Sequence, residues 1–128
     1  DNSRLQLGAV GPSRSSAAPV TQLANAVAVV GGSSHACVLL GDRTVHCWGD
    51  DRLGELGDAL GDMTSEPRAV PIEDVVEISS RTDLTTCART GGGQVYCWGN
   101  NSAGQIGNGQ VGGVVSTPSR VLGLPGSP

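Results

Sequence analysis

The sequence predicts an all-β chain made of two four-stranded antiparallel units of one design, preceded by one further strand. Three observations carry this. First, the block HACVLLGDRTVHCWGDDRLGELG, residues 35–57, returns 50 residues later without a gap as TTCARTGGGQVYCWGNNSAGQIG. The identical pairs are Cys37/Cys87, Gly41/Gly91, Val45/Val95, Cys47/Cys97, Trp48/Trp98, Gly49/Gly99, Gly54/Gly104 and Gly57/Gly107. A fixed period of this length marks a repeat architecture. Second, glycine is frequent (20 residues) and charge sparse (16%), which favours short strands joined by tight turns. Third, Phe is absent and Trp48, Trp98 and Tyr96 are the only aromatic residues. The core must come from Val, Leu, Ile and Ala, anchored by two indoles.

The elements follow in order. Residues 1–18 have loop composition, and residues 2–8 align with 51–57 as a truncated first copy. Pro19, Val20, Thr21, Gln22 and Leu23 form a short segment behind a proline, matched by residues 67–70 and 118–122. Proline is tolerated at the start of an edge strand, so all three are read as edge strands. The first is a possible interaction edge. Residues 27–30 and 75–78 are short, apolar and β-branched, as expected of innermost buried strands.

The repeated hairpins come next, with strands at 35–40 and 44–48 and again at 85–90 and 94–98. If Cys37 faces Cys47, Leu39 faces Val45 and a three-residue loop remains, a common hairpin length. The period of two then places Cys37, Leu39, Val45 and Cys47 on one face and Val38, His46 and Trp48 on the other. Fourth strands at 67–72 and 118–122 complete two sets of four. Four-stranded antiparallel units repeating in this way are propeller blades. The expected division is a loop and edge strand of a preceding repeat (1–26), a first blade (27–73), a second blade (74–124) and a flexible tail (125–128).

The four cysteines form two pairs, each separated by ten residues at the same place in its repeat. An even count in a small, core-poor chain reads as disulfides, Cys37 with Cys47 and Cys87 with Cys97, and an oxidising compartment. Opposed residues of a hairpin come within ~4.5 Å at Cα, inside the disulfide range. Each small loop closed would contribute ~2–3 kcal/mol. His35, Cys37, His46 and Cys47 are also zinc-ligand types. Only the cysteines recur, however, and His46 and Cys47 are strand neighbours that point to opposite faces.

The pattern of Val, His-x-Cys, Gly-x-Val-x-Cys-Trp-Gly and Gly-x-x-Gly resembles the repeat of the regulator of chromosome condensation family, a seven-bladed propeller. The residues that carry the resemblance are Trp48-Gly49 with Gly54-Glu55-Leu56-Gly57, and Trp98-Gly99 with Gly104-Gln105-Ile106-Gly107. It covers about residues 2–124. His35 matches a recurrent family histidine, which Thr85 replaces in the second copy. The paired cysteines look like the secreted, bacterial-type variant of the repeat. Nuclear members act on a small GTPase through a protruding wedge and bind chromatin through basic residues. Neither feature has a counterpart here, and two repeats and a fraction stand where the family has about seven.

Other function classes find little support. A net charge of −4 with eight Arg and no Lys argues against a nucleic-acid surface. No apolar run approaches the ~20 residues of a membrane span. Asp50, Asp51, Glu55, Asp58 and Asp62 suggest calcium, but their spacing is not that of a twelve-residue calcium loop. Asn100, Asn101 and Gln105 replace three of them in the copy, so the loop reads as turn-forming and solvated. Ser33, Ser34 and His35 are neighbours in sequence, which is not triad geometry, and no Gly-x-Ser-x-Gly elbow or phosphate-binding loop is present. Asn100-Asn101-Ser102 is a glycosylation sequon, meaningful only in a eukaryotic secretory host.

Trp48, Gly49, Trp98 and Gly99 recur at one place per blade, so they read as blade-packing residues rather than ligand platforms. No catalytic residue, metal or cofactor is implied. The expectation is a non-catalytic extracellular propeller module that binds a protein partner. The alternative is a self-associating structural protein that assembles into a ring or fibre. The partner is then a further copy, as a homo-oligomer, or the remainder of a larger propeller.

Overall fold

The computed structural model describes residues 25–32, 34–81 and 85–123. Eight strands run in order: β1 (Ala26–Gly31), β2 (His35–Leu40), β3 (Val45–Gly49), β4 (Thr64–Ala69), β5 (Val75–Arg81), β6 (Thr85–Thr90), β7 (Val95–Asn100) and β8 (Val114–Arg120). They form two antiparallel sheets, β1-β2-β3-β4 and β5-β6-β7-β8, each a meander in chain order. These are two blades of an incomplete propeller. β1 and β2 pack against β5.

The central hairpins have the registers their repeated sequence implies. Cys37 pairs with Cys47 and Leu39 with Val45; Cys87 pairs with Cys97 and Arg89 with Val95. The loop between β2 and β3 closes through Arg43 N to Leu40 O (2.9 Å) and Leu40 N to Thr44 O (3.0 Å). Its last residue takes a positive φ, +68° at Arg43 and +84° at Gly93. A three-residue hairpin loop needs that conformation at this position.

The fourth strands begin earlier than the sequence suggests, at Thr64 and Val114, and end at Ala69 and Arg120. Pro67 and Pro118 therefore lie inside β4 and β8 rather than at their starts. Both are outer edge strands, and their registers shift between Cys47 and Gly49 and between Cys97 and Gly99. The prolines fall opposite those irregular stretches, where no ladder donor is needed.

A second correction concerns β1. Val27 and Val29 are not buried; they are 64% and 65% exposed. The core lies between the blades, and β1 turns only its other side, Ala28 and Val30, toward it. On that side the first blade contributes Cys37, Leu39, Val45 and Cys47, and the second blade answers with Val75, Ile78, Ala88 and Trp98. Burial of this seam, at roughly 25 cal/mol per Å² of apolar surface, is what joins the two sheets. The segment of Pro19, Val20, Thr21, Gln22 and Leu23 lies outside the described residues, as does the whole of the expected tail, 125–128.

Candidate functional site

Each hairpin holds one disulfide. Cys37 and Cys47 are bonded at 2.15 Å and Cys87 and Cys97 at 2.06 Å, with Cα atoms 4.1 Å apart in both. The first disulfide is wholly buried in the seam between the blades. The second lies on the far side of the second blade, where Cys87 is only half-buried. His46 and Cys47 do point to opposite faces of β3. No group of three or more metal-ligating side chains converges among the described residues.

Trp98 and Gly57, both residue types that recur in the two blades, meet at the junction. Trp98 is fully buried, and its indole Nε1–H donates to the backbone carbonyl of Glu55, 3.0 Å away in the first blade's long loop. Gly57 makes room for the ring. A Cβ there would stand 2.8 Å from Nε1 and 2.9 Å from Cδ1, and the residue's φ of +69° suits glycine. Trp48 is also buried, at 3% exposure. Gly49 and Gly99 follow the tryptophans at φ +110° and +109°. At Gly49 a Cβ would lie 2.6 Å from the Ser34 carbonyl oxygen, so the backbone itself excludes a side chain.

A second clasp joins the blades at His35. The ring is buried, with Nε2 2.9 Å from Thr86 Oγ1 and 3.3 Å from Ser80 Oγ, both on the second blade. Burial lowers its pKa to about 4, with nearby Asp50 pulling weakly the other way, so the imidazole is neutral at pH 7. Sequence reasoning noted this histidine as a family feature without seeing its partners. Thr86 and Ser80 have no counterpart of the same type at the matching places in the first blade, so repetition gave no signal. At the hairpin end, Val75 N donates to Arg43 O (3.0 Å) and Arg43 pairs with Asp74 (2.7 Å).

The long loop after β3 differs from the solvated turn its acidic residues suggest. Asp50, Asp51 and Glu55 are all buried. Asp51 accepts from Leu56 N (2.9 Å) and Gly61 N (2.8 Å), and Glu55 Oε1 accepts from Leu53 N. The copy repeats this with amides: Asn101 accepts from Ile106 N (3.1 Å) and donates to Gln110 O (3.2 Å), while Gln105 accepts from Ala103 N (2.8 Å). Each pair keeps one shared bond, to Leu56 N or Ile106 N and to Leu53 N or Ala103 N, while the second oxygen of Asp51 accepts from Gly61 N where the Asn101 amide nitrogen instead donates to Gln110 O. Asp58 and Asp62 differ again, both bonding Arg68.

Between the hairpin ends runs a groove of about 930 Å³ to which both blades contribute. Asp42 and His46 form one wall, Gln94 and Tyr96 the other, and Ile72 and Glu73 of the connecting segment lie along it. The Tyr96 hydroxyl donates to Gln94 Oε1 (3.2 Å). The mixture of an aromatic ring, an aliphatic side chain and carboxylates suits a peptide surface better than an enclosed small-molecule pocket.

The flanks of the blade pair are unlike each other. Val29 pairs with Val38, and Ile78 pairs with Ala88 at the matching place in the second blade. Ile78 is buried against the first blade, whereas Val29 has no such cover and is 65% exposed. On the opposite flank the matching face of the second blade is polar, with an exposed Glu77–Arg89 ion pair (3.7 Å) where the first blade has Ala28 and Leu39. Val111, Val114 and Leu122 add exposed apolar surface at its outer end. On the first blade's flank, then, Val27 and Val29 of the outermost strand are exposed, while Val38 and Trp48 on the same face are buried.

Two antiparallel blades, each with a Trp-Gly at the same place around its third strand and a tight glycine loop beyond, define part of a repeat propeller. Models of the regulator of chromosome condensation (RCC1) repeat match residues 26–55 and 75–105, and a second model of that repeat matches 92–128. The chain belongs to the regulator of chromosome condensation repeat family. A comparison with curated protein sequences finds no match.

Among solved structures it is similar to Prp20p of Saccharomyces cerevisiae, described with its binding to Gsp1p and histones (27% identity, TM-score 0.71, 82% of this chain and 26% of that one). It also resembles yeast RCC1 (Prp20) bound to Kap60 (16% identity, TM-score 0.81, 98% of this chain and 33% of that one). Human WBSCR16 shares the fold as well (23% identity, TM-score 0.81, 98% and 34%). The chain thus spans a quarter to a third of the length of these propellers.

Proposed function

We propose that the chain is a non-catalytic propeller repeat module that acts by binding another protein, and that the groove at the hairpin ends is its recognition surface. The observation that carries this is the groove itself, built jointly by both blades, with Tyr96 and Ile72 beside Asp42 and Glu73. The structural relatives support it, since Prp20p was described binding Gsp1p and histones and yeast RCC1 was captured with Kap60. His35, Asp51 and Asn101 hold loops and blades together, and the groove is exposed on the surface where a partner can reach it. Two disulfides support an oxidising, extracellular or cell-surface setting.

The test is retention of proteins from the source's extracellular fraction by the oxidised, immobilised chain. Partners held by the native chain should be lost with Tyr96→Ala and Ile72→Asp while both disulfides stay formed. Equal retention by the native and groove variants would overturn the assignment of the surface.

A second reading is favoured by one observation, the exposure of Val27 and Val29. An apolar blade face calls for a neighbouring blade, because repeat units bury their faces by stacking. That neighbour is either a further copy of this chain or another part of a larger propeller. The polar second flank favours partners of different surface over a ring of identical contacts.

A further inference from the structure

Glu55 stands at the point where the first blade's loop meets the second blade's tryptophan. Its side chain is fully buried: Oε1 accepts from Leu53 N, and Oε2 has no hydrogen-bond partner among the described residues. Its backbone carbonyl receives the Trp98 indole. The second blade places Gln105, half-buried, at the same position, holding the same local bond with an uncharged side chain. The fold therefore accepts a neutral group here, and an ionised carboxylate would leave a buried charge unpaired.

We propose that Glu55 is a proton-controlled latch between the blades: protonated, its side chain keeps the local bond that Gln105 makes and the loop holds the Glu55 backbone carbonyl on the Trp98 indole; ionised, it is driven from the carboxylates beside it and the loop releases the indole. No bond is made or broken beyond loss of the carboxyl proton to water.

The surrounding charges act in one direction. Burial raises the Glu55 pKa above its ordinary value of 4.5; the Leu53 and Glu55 backbone N–H groups oppose this, and the charges of Asp50 and Asp51 add to it. Asp51 is itself raised by burial and by Asp58, Arg52 is engaged with Asp50, and Arg68 with Asp58 and Asp62. His35, which feels Asp50 from the neighbouring strand, is neutral above about pH 4 and supplies no compensating charge. From the second blade the loop meets the Trp98 ring and the Val115 and Ser116 backbone, none of which ionises. The sign follows: for a carboxyl with a raised folded pKa, the stabilisation is complete below about pH 4.5 and is lost as pH rises through the folded value.

The test compares the full oxidised chain with Glu55→Gln. The opening of the indole contact, read from exchange of the Trp98 Nε1–H corrected for base catalysis, should rise roughly tenfold per pH unit between the ordinary Glu range and Glu55's own midpoint, then level. Glu55→Gln should remove that slope, and its thermal midpoint should gain on the native chain as pH rises. Because His35 titrates in both proteins, the difference between them isolates Glu55. A difference constant from pH 4.5 to 8 would overturn the proposal. Carbon-13 titration of the native Glu55 carboxyl gives an independent reading: a midpoint above 4.5 supports the latch, and one at or below it refutes it.

Discussion

Replacing Trp98 removes the largest buried side chain in the seam and the indole donor that reaches across it. The ring is fully enclosed, so Trp98→Ala leaves a cavity worth about 3–5 kcal/mol. The Glu55 carbonyl also loses its donor, which adds about 1–3 kcal/mol unless water enters. A domain of this size has a stability of roughly 5–15 kcal/mol, so most of it is at stake. Trp98→Phe separates the two effects by keeping an aromatic body and deleting only the N–H; it should cost no more than about 3 kcal/mol. Urea unfolding of the oxidised proteins, followed by circular dichroism, measures both. A loss below about 1 kcal/mol for Trp98→Ala, or equal losses for the two variants, would refute the clasp.

Two further outcomes follow from the junction. His35 has a folded pKa lowered to about 4 from 6.5, so its contribution is complete above pH 6.5 and is lost as pH falls toward 4, by about 3 kcal/mol. Thermal midpoints across that range should fall for the native chain and fall less for His35→Gln, which can bond Thr86 without titrating; parallel profiles would contradict the assignment. Gly49→Ala forces a Cβ to within 2.6 Å of the Ser34 carbonyl at a positive φ, so that variant should fail to give a cooperative unfolding transition. A native-like transition would show that the backbone there yields.

Much of the blade was legible because the repeat states it twice. The 50-residue offset and the Cys37–Cys47 register together gave the central hairpins, since period-two alternation leaves one pairing that buries both cysteines and Leu39. Proline as a strand start puts the fourth strands too late, whereas an outer edge with an irregular register holds it mid-strand. A short apolar β-branched run reads as buried, but it cannot tell a face between blades from one that awaits a neighbour, and Val27 and Val29 lie on the latter. The loop carboxylates looked solvated because charge usually is; here their oxygens replace missing backbone partners and are enclosed with them. The His35 and Glu55 contacts cross from one blade to the other, and no local pattern records such partners.

The central claim is that this chain is a pair of propeller blades whose first blade presents the exposed Val27 and Val29, and that a further copy covers them where no larger propeller does. Sedimentation velocity of the oxidised chain at micromolar concentration, native and Val29→Glu, tests it directly. The expected result is concentration-dependent association of the native chain that the charged variant loses while both disulfides remain. A native chain that sediments as a stable monomer, or association indifferent to Val29→Glu, would contradict it.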